Sequence, residues 1–253
     1  MNQHVEAVLF DLGGTLRIVH KDPEYTYAAK KKIVELCGVD ADPIEFHKMI
    51  DARYDKYRDY ALETNREDTE IELWTKWLVP ELPLNRIVPA APELTFQYRQ
   101  AKGKRLLVEG GLEVIQALHA RGYRLGIISN LIGTHEIQDW LRDDGLEQYF
   151  ETVQLSSVLN IRKPDVRIYQ YAIDELKIDP AACAYIGDQL DRDILGSKAA
   201  GFGTTIAIMS AEDLAKTEFT DENKADMVIH EFRSLLDIFP GNQSVDPSKA
   251  VLL

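Results

Sequence analysis

The sequence predicts an α/β fold: a parallel sheet whose first crossover is replaced by a large helical insert. Three observations carry this. Short apolar runs of strand character recur at Val5–Phe10, Arg124–Ile128, Thr152–Leu155, Ala182–Ile186, Thr204–Ile208 and Met227–Ile229. Most are continuous rather than alternating, as in strands covered on both faces. Helical patterns at Gly111–Ala120, His135–Asp143, Val166–Leu176, Asp191–Ala200 and Phe232–Phe239 fall among the later runs. Strand alternating with helix means right-handed crossovers within a parallel sheet. Between Thr15 and about Val108 the rhythm breaks. No strand is expected there, only helices near Pro23–Leu36, Pro43–Leu62, Asp68–Leu78 and Pro92–Lys102.

The end signals support these elements. Asp22-Pro23-Glu24 reads as an N-cap, a proline at the first helical position and an acidic first turn. Gly38 closes that helix, and Gly122 and Gly201 follow other helices where a left-handed cap is wanted. Tyr54, Tyr57, Trp74 and Trp77 recur at helical spacing and are read as the core of the insert. The expected organisation is a core of residues 1–16 plus 105–240, a helical cap of residues 17–104, and a loosely ordered tail over 241–253. An insert following the first strand would cover the strand ends and act as a lid over them.

Composition sets outer bounds. A chain of 253 residues, 45% hydrophobic and 28% charged, has room for one α/β domain with a smaller insert. Twenty-nine basic against 42 acidic residues give a net charge of −13, which argues against nucleic acid or an anionic membrane as partner. Two cysteines, Cys37 and Cys183, in apolar surroundings read as buried reduced thiols of a cytoplasmic protein. No signal peptide and no apolar run of membrane-spanning length is read from the sequence. Monomer and homodimer are equally compatible with it.

Chemistry concentrates in the loops that follow four strands. The first strand ends in Asp11-Leu12-Gly13-Gly14-Thr15, a carboxylate at a strand end followed by two glycines. The glycines permit a sharp turn and close approach of a ligand to the backbone, at the sheet edge where ligands of open α/β folds bind. Asp11 is therefore a candidate nucleophile, metal ligand or both. The second strand runs into Ser129-Asn130, a hydroxyl and an amide able to donate to an oxyanion. The third region leads to Arg162-Lys163-Pro164-Asp165, where Pro164 holds Lys163 extended and Asp165 stands at a helix start. Arg162 is read as a solvated charge. The fourth strand ends in Gly187-Asp188, with Asp191 and Asp193 close behind, and Asp191 is read as a helix cap. Asp188 with Asp11 can form an all-oxygen site suited to Mg²⁺. A carboxylate, a hydroxyl, a lysine and an acidic cluster on one sheet edge fit phosphoryl transfer through an acyl phosphate.

This ordered set closely resembles the haloacid dehalogenase-like hydrolase superfamily, from Val5 to about Phe239. Asp11-Leu12-Gly13-Gly14-Thr15 looks like its nucleophile loop and Ile128-Ser129-Asn130 like its second motif. Arg162-Lys163-Pro164-Asp165 with Ile168-Tyr169 resembles the third, and Gly187-Asp188 with Asp193, Gly196 and Ala199-Ala200-Gly201 the fourth. The resemblance implies a Rossmann-like core with a helical cap between the first two motifs. It implies Asp11 as nucleophile and Ser129 and Lys163 as phosphate binders, with Gly14, Thr15 and Asn130 around the substrate. Asp188 would bind Mg²⁺, Gly13 would offer its carbonyl to the metal, and Asp193 would support the metal directly or through water.

One position departs from the pattern. Family phosphatases carry a second Asp two residues after the nucleophile, as acid and base; here it is Gly13. The expected function is Mg²⁺-dependent hydrolysis of a small phosphorylated metabolite, slowed on poor leaving groups. The alternatives are a non-catalytic phosphate-binding protein, or a hydrolase of carbon–halogen or phosphorus–carbon bonds. In the resembling dehalogenases the Gly13 position is aromatic, and the phosphonate cleavers use a cap lysine, for which Lys21 and Lys30 are candidates. His20 is the nearest histidine that could stand in as an acid.

Overall fold

The computed structural model describes residues 4–134 and 136–241; His135 and nearly all of the expected tail lie outside the described residues. The strands are β1 (Ala7–Phe10), β2 (Arg17–His20), β3 (Lys104–Leu107), β4 (Arg124–Ser129), β5 (Phe150–Leu155), β6 (Cys183–Gly187), β7 (Thr204–Ile208) and β8 (Met227–Ile229). Six of them form one sheet in the order β5-β4-β1-β6-β7-β8. Every pairing in it is parallel. These strands begin and end within a residue or two of the expected runs.

The position of β1 follows from its sequence. Ala7, Val8, Leu9 and Phe10 are fully buried, as a central strand requires. Ala7 is paired to Arg124 on one side and Cys183 on the other, and Phe10 to Ile127 and Ile186. Alternation along the strand divides the core. Val8 and Phe10 pack with Val114, Ile115 and Leu118 of the helix Gly111–Ala120. Ala7 and Leu9 pack with Ile168, Tyr169 and Ala172 of the helix Val166–Leu176. The expected left-handed residues Gly38, Gly122 and Gly201 have φ of 65°, 88° and 87°.

Between β2 and β3 stand the helices Pro23–Cys37, Pro43–Thr64 and Leu84–Gln100, with a short turn of helix, Glu70–Glu72, that widens into a π-helical stretch, Leu73–Leu78. They share a core of their own, in which Ile33, Ile50, Tyr57, Trp74 and Leu94 are buried and Tyr54 and Trp77 partly so. This is the aromatic core that the spacing predicted.

Two expectations about the insert are corrected. It does contain strands: β2 and β3 pair antiparallel, Arg17 to Leu107 and His20 to Lys104. Each is four residues long and partly exposed, so neither carries the long apolar run that marks a core strand. The last helix begins at Leu84 rather than at Pro92 and keeps Pro89 and Pro92 inside it. Both prolines are exposed, so water can satisfy the carbonyls they free. Cys37 and Cys183 are free and buried, and burial pushes both thiols up to about 12. No helix among the described residues is long and apolar enough to cross a membrane.

Candidate active site

The site forms at the carboxyl ends of β1, β4 and β6. Asp11 is anchored in the sheet by its amide, which donates to the Ile186 carbonyl at 2.9 Å. The chain then turns back: Arg17 N donates to Leu12 O at 2.7 Å and Gly14 N to Arg17 O at 2.9 Å. Gly14 has φ of 87°, and a Cβ there would lie 2.3 Å from Asp188 Oδ2. Only glycine fits, which brings the Asp11 loop against the Asp188 loop. Gly13 differs: its φ is not positive, and nothing lies within 4 Å of the place a Cβ would take.

Lys163 ties the loops together. Its side chain is wholly buried, with Nζ 2.8 Å from Asp11 Oδ1 and 2.5 Å from Asp193 Oδ1. The Ile128 carbonyl and the Tyr185 hydroxyl, each at 2.9 Å, complete the set. Asn130 holds the lysine by its backbone: its Oδ1 accepts from Lys163 N at 2.8 Å and its Nδ2 donates to Lys163 O at 3.0 Å. Ser129, at the end of β4, is buried beside them. A buried ammonium between two carboxylates is stable only while all stay paired.

Asp11, Asp188 and Asp193 each place an oxygen within 4.8 Å of the others. Three carboxylates stand against Lys163, with the Arg192 guanidinium also drawing on them. Burial, and then the nearness of Asp11, pushes the Asp188 carboxyl above its ordinary range. Burial pushes Asp193 up to about 6 against the pull of Lys163. Asp193 has both oxygens engaged, Oδ1 by Lys163 and Oδ2 by the Gln189 amide at 3.0 Å. Asp188 uses Oδ2 on the Gln189 side chain at 2.6 Å, while its buried Oδ1 has no partner among the described residues. The buried Thr15 hydroxyl has none either. An orphaned carboxylate oxygen in an all-oxygen cluster fits a hard divalent cation such as Mg²⁺.

Other expectations resolve residue by residue. Arg162 is not solvated: it is 7% exposed and its guanidinium pairs with Glu67, which is fully buried. Asp191 makes no cap: it lies inside the turn Leu190–Ile194, and Gln189 and Ile194 hold the cap positions of that turn and of the helix after it. Asp165 does cap its helix, accepting from Arg167 N at 3.0 Å. His20 is exposed at the end of β2 opposite Lys104. Lys21 and Lys30 line neither of the cavities that adjoin these loops. Tyr185 and Arg192 went unread: Tyr185 looked like one more apolar strand residue, and Arg192 like one more surface charge.

Comparison with known proteins bears on family and fold. The family model of haloacid dehalogenase-like hydrolases matches residues 5–201. The chain is 30% identical over 115 residues to haloacid dehalogenase-like hydrolase domain-containing protein 3 of Bos taurus, covering 46% of this chain and 45% of that protein. The chain thus spans about half the length of the first relatives it matches. It is 24% identical to the glyceraldehyde 3-phosphate phosphatase of Pyrococcus furiosus over 96% of this chain and 97% of that one. The structure superposes on a 2-haloacid dehalogenase from Pseudomonas syringae with a TM-score of 0.67 and 18% identity, over 93% of this chain and 98% of that one; at this identity the likeness is one of fold. With the family model matching from β1 to the loop before β7, the chain belongs to the haloacid dehalogenase-like hydrolase family.

Proposed function

We propose that the chain is a Mg²⁺-dependent phosphatase of a small phosphorylated metabolite. The observation that carries this reading is the buried Lys163 bridging Asp11 and Asp193 beside the unpartnered Asp188 oxygen. Asp11 attacks phosphorus, the bond to the leaving oxygen breaks, and an aspartyl phosphate forms, which water then cleaves. Lys163 holds Asp11 in line and, with Ser129, neutralises charge on the phosphoryl oxygens. Asp11, Asp188 and the Gly13 carbonyl would hold Mg²⁺, with Asp193 in support. When bound, the metal adds further neutralisation of the phosphoryl group.

The helices over 17–104 then serve as a cap on a core of 1–16 plus 105–240. Relatives named glyceraldehyde 3-phosphate phosphatase support a small phosphorylated substrate. At Gly13 no side chain can protonate the leaving group, so good leaving groups such as acyl phosphates are favoured over alkyl esters. The test is phosphate release from a panel of acyl phosphates and phosphate esters, with Mg²⁺ and with a chelator. Asp11→Asn should fold and lose at least about 10³-fold in turnover. Retention of most activity by this variant would end the covalent mechanism. Phosphate binding with no release from any substrate would favour instead a phosphate-binding protein without turnover.

A further inference from the structure

We infer that the substrate carries a second anionic group, held in an arginine-lined cavity between the cap helices and the core loops; this deepens the phosphatase reading and rests on it. The cavity, of about 200 Å³, is lined by Arg58, Arg99, Arg162 and Arg192, with Tyr54 and Asn130. Arg58 and Tyr54 come from the helix Pro43–Thr64 and Arg99 from the helix Leu84–Gln100. Arg162 precedes Lys163 in its loop, Asn130 holds the Lys163 backbone from the end of β4, and Arg192 immediately precedes Asp193. The cavity therefore adjoins the reaction centre through the backbone that positions it.

Charge decides what this cavity takes. Arg99 pairs with Glu136 and Arg162 with Glu67. Arg58 has no ion pair among the described residues, and the Arg192 guanidinium makes no hydrogen bond to them. The buried Nε atoms of Arg162 and Arg192 both lack partners, and Arg162 is 7% exposed. The Arg192 charge is offset by Asp193, Asp11 and Asp188, so Arg58 is the positive charge left without a counter-ion, in a space lined by three further arginines; this suits a carboxylate or a phosphate, which can accept from several arginines at once. The larger cavity, of about 990 Å³, reaches Gly14 and Asp188; its lining sets Glu109, Asp213 and Glu231 against Arg233, whose charge is paired with Glu113, so it is the poorer place for an anion. A glyceraldehyde 3-phosphate has only a neutral aldehyde to offer at its far end, so on this inference a charged analogue is preferred.

Two matched pairs of substrates test it: glycerol 3-phosphate against 3-phosphoglycerate for a carboxylate, and fructose 6-phosphate against fructose 1,6-bisphosphate for a phosphate. In Mg²⁺ at low salt, kcat/KM should favour the charged member of at least one pair by about tenfold or more, and the preference should shrink as salt rises. The pair that responds identifies the group. Arg58→Gln should reduce that preference by about tenfold; Arg58 is exposed and unpaired, so folding is not at stake, and a thermal melt checks it. Equal rates within both pairs, or a preference that Arg58→Gln leaves intact, would overturn the subsite while the phosphatase reading stands. If no ester is turned over, calorimetric binding of 3-phosphoglycerate and fructose 1,6-bisphosphate decides. Binding weakened by Arg58→Gln keeps the subsite, and absence of binding overturns it; the phosphatase reading is decided separately, by release from the acyl phosphates.

Discussion

Gly13 is the residue at which this chain departs from the phosphatase pattern, and its geometry makes the departure testable. Its φ is not positive, and no atom lies within 4 Å of a Cβ built there. Gly13→Asp should therefore fold with an unchanged melting temperature, without the strain that Gly14 would impose. If the missing acid limits turnover, the variant should gain up to about 10²-fold on alkyl phosphates and little on acyl phosphates, which need no proton. A folded variant with no gain on any ester would count against the missing-acid account. At Asp188, the unpartnered Oδ1 is the oxygen with most to gain from a cation. Asp188→Asn should weaken Mg²⁺ by about tenfold or more in a metal titration; an unchanged titration would remove Asp188 from the site. Asp11 and Asp188 were singled out in the sequence because each directly follows an apolar strand with a glycine within two residues, and Lys163 because Pro164 follows it. Arg162 was not, because its partner Glu67 lies in the helical insert, far along the chain, and no local spacing announces the pair.

That pair links the elements. The loop after the helix Pro43–Thr64 docks on the loop that leads to Lys163. Arg162 N donates to Asn65 O at 2.9 Å, and Asn160 Nδ2 donates to Glu67 O at 3.0 Å. The buried Glu67 carboxylate accepts from Tyr57, from Arg162 and, at 2.8 Å, from Ser156 Oγ. Burial pushes the Glu67 carboxyl upward, while Arg162 pulls it down. The helical insert and the loop that carries Lys163 are thus clamped one residue from that lysine. Glu67→Ala leaves the Arg162 charge buried and uncompensated, which should cost about 3–5 kcal/mol of stability. Replacing both residues, as Glu67→Ala/Arg162→Met, should recover much of that loss, and chemical denaturation of the three variants measures it. A loss below about 1 kcal/mol in the single variant would show that the clamp carries little. At this scale the sequence announced helices through caps such as Asp22 and Gly38, which are local. It hid β2 and β3, because they exist only through pairing with each other across the whole insert.

For the molecule as a whole, the core sheet was the most legible part: burial on both faces needs unbroken apolar runs, and those can be counted without knowing the strand order. The order itself, with β1 between β4 and β6, is what gathers three carboxylates around one lysine. That gathering links metal, protons and stability. Asp193, pushed up to about 6, sits above the usual unfolded carboxylate value of about 4. In that window the folded state holds more protons than the unfolded one, so this group's contribution to stability falls as pH rises from about 4 to about 6. With a net charge of −13, many other carboxylates also titrate there. The informative quantity is therefore the difference that Mg²⁺ makes at each pH. Mg²⁺ must displace protons from the cluster at pH 5 but hardly any at pH 7.5, so it should stabilise the protein more at the higher pH. At a concentration of 100 Kd the gain would be about 2.7 kcal/mol, or roughly 5–10 °C in a chain of this size. Melts with Mg²⁺ and with EDTA at both pH values measure it, and Asp188→Asn should lose most of the gain at pH 7.5. An equal shift at both pH values, or one that survives Asp188→Asn, would place the bound Mg²⁺ away from this cluster.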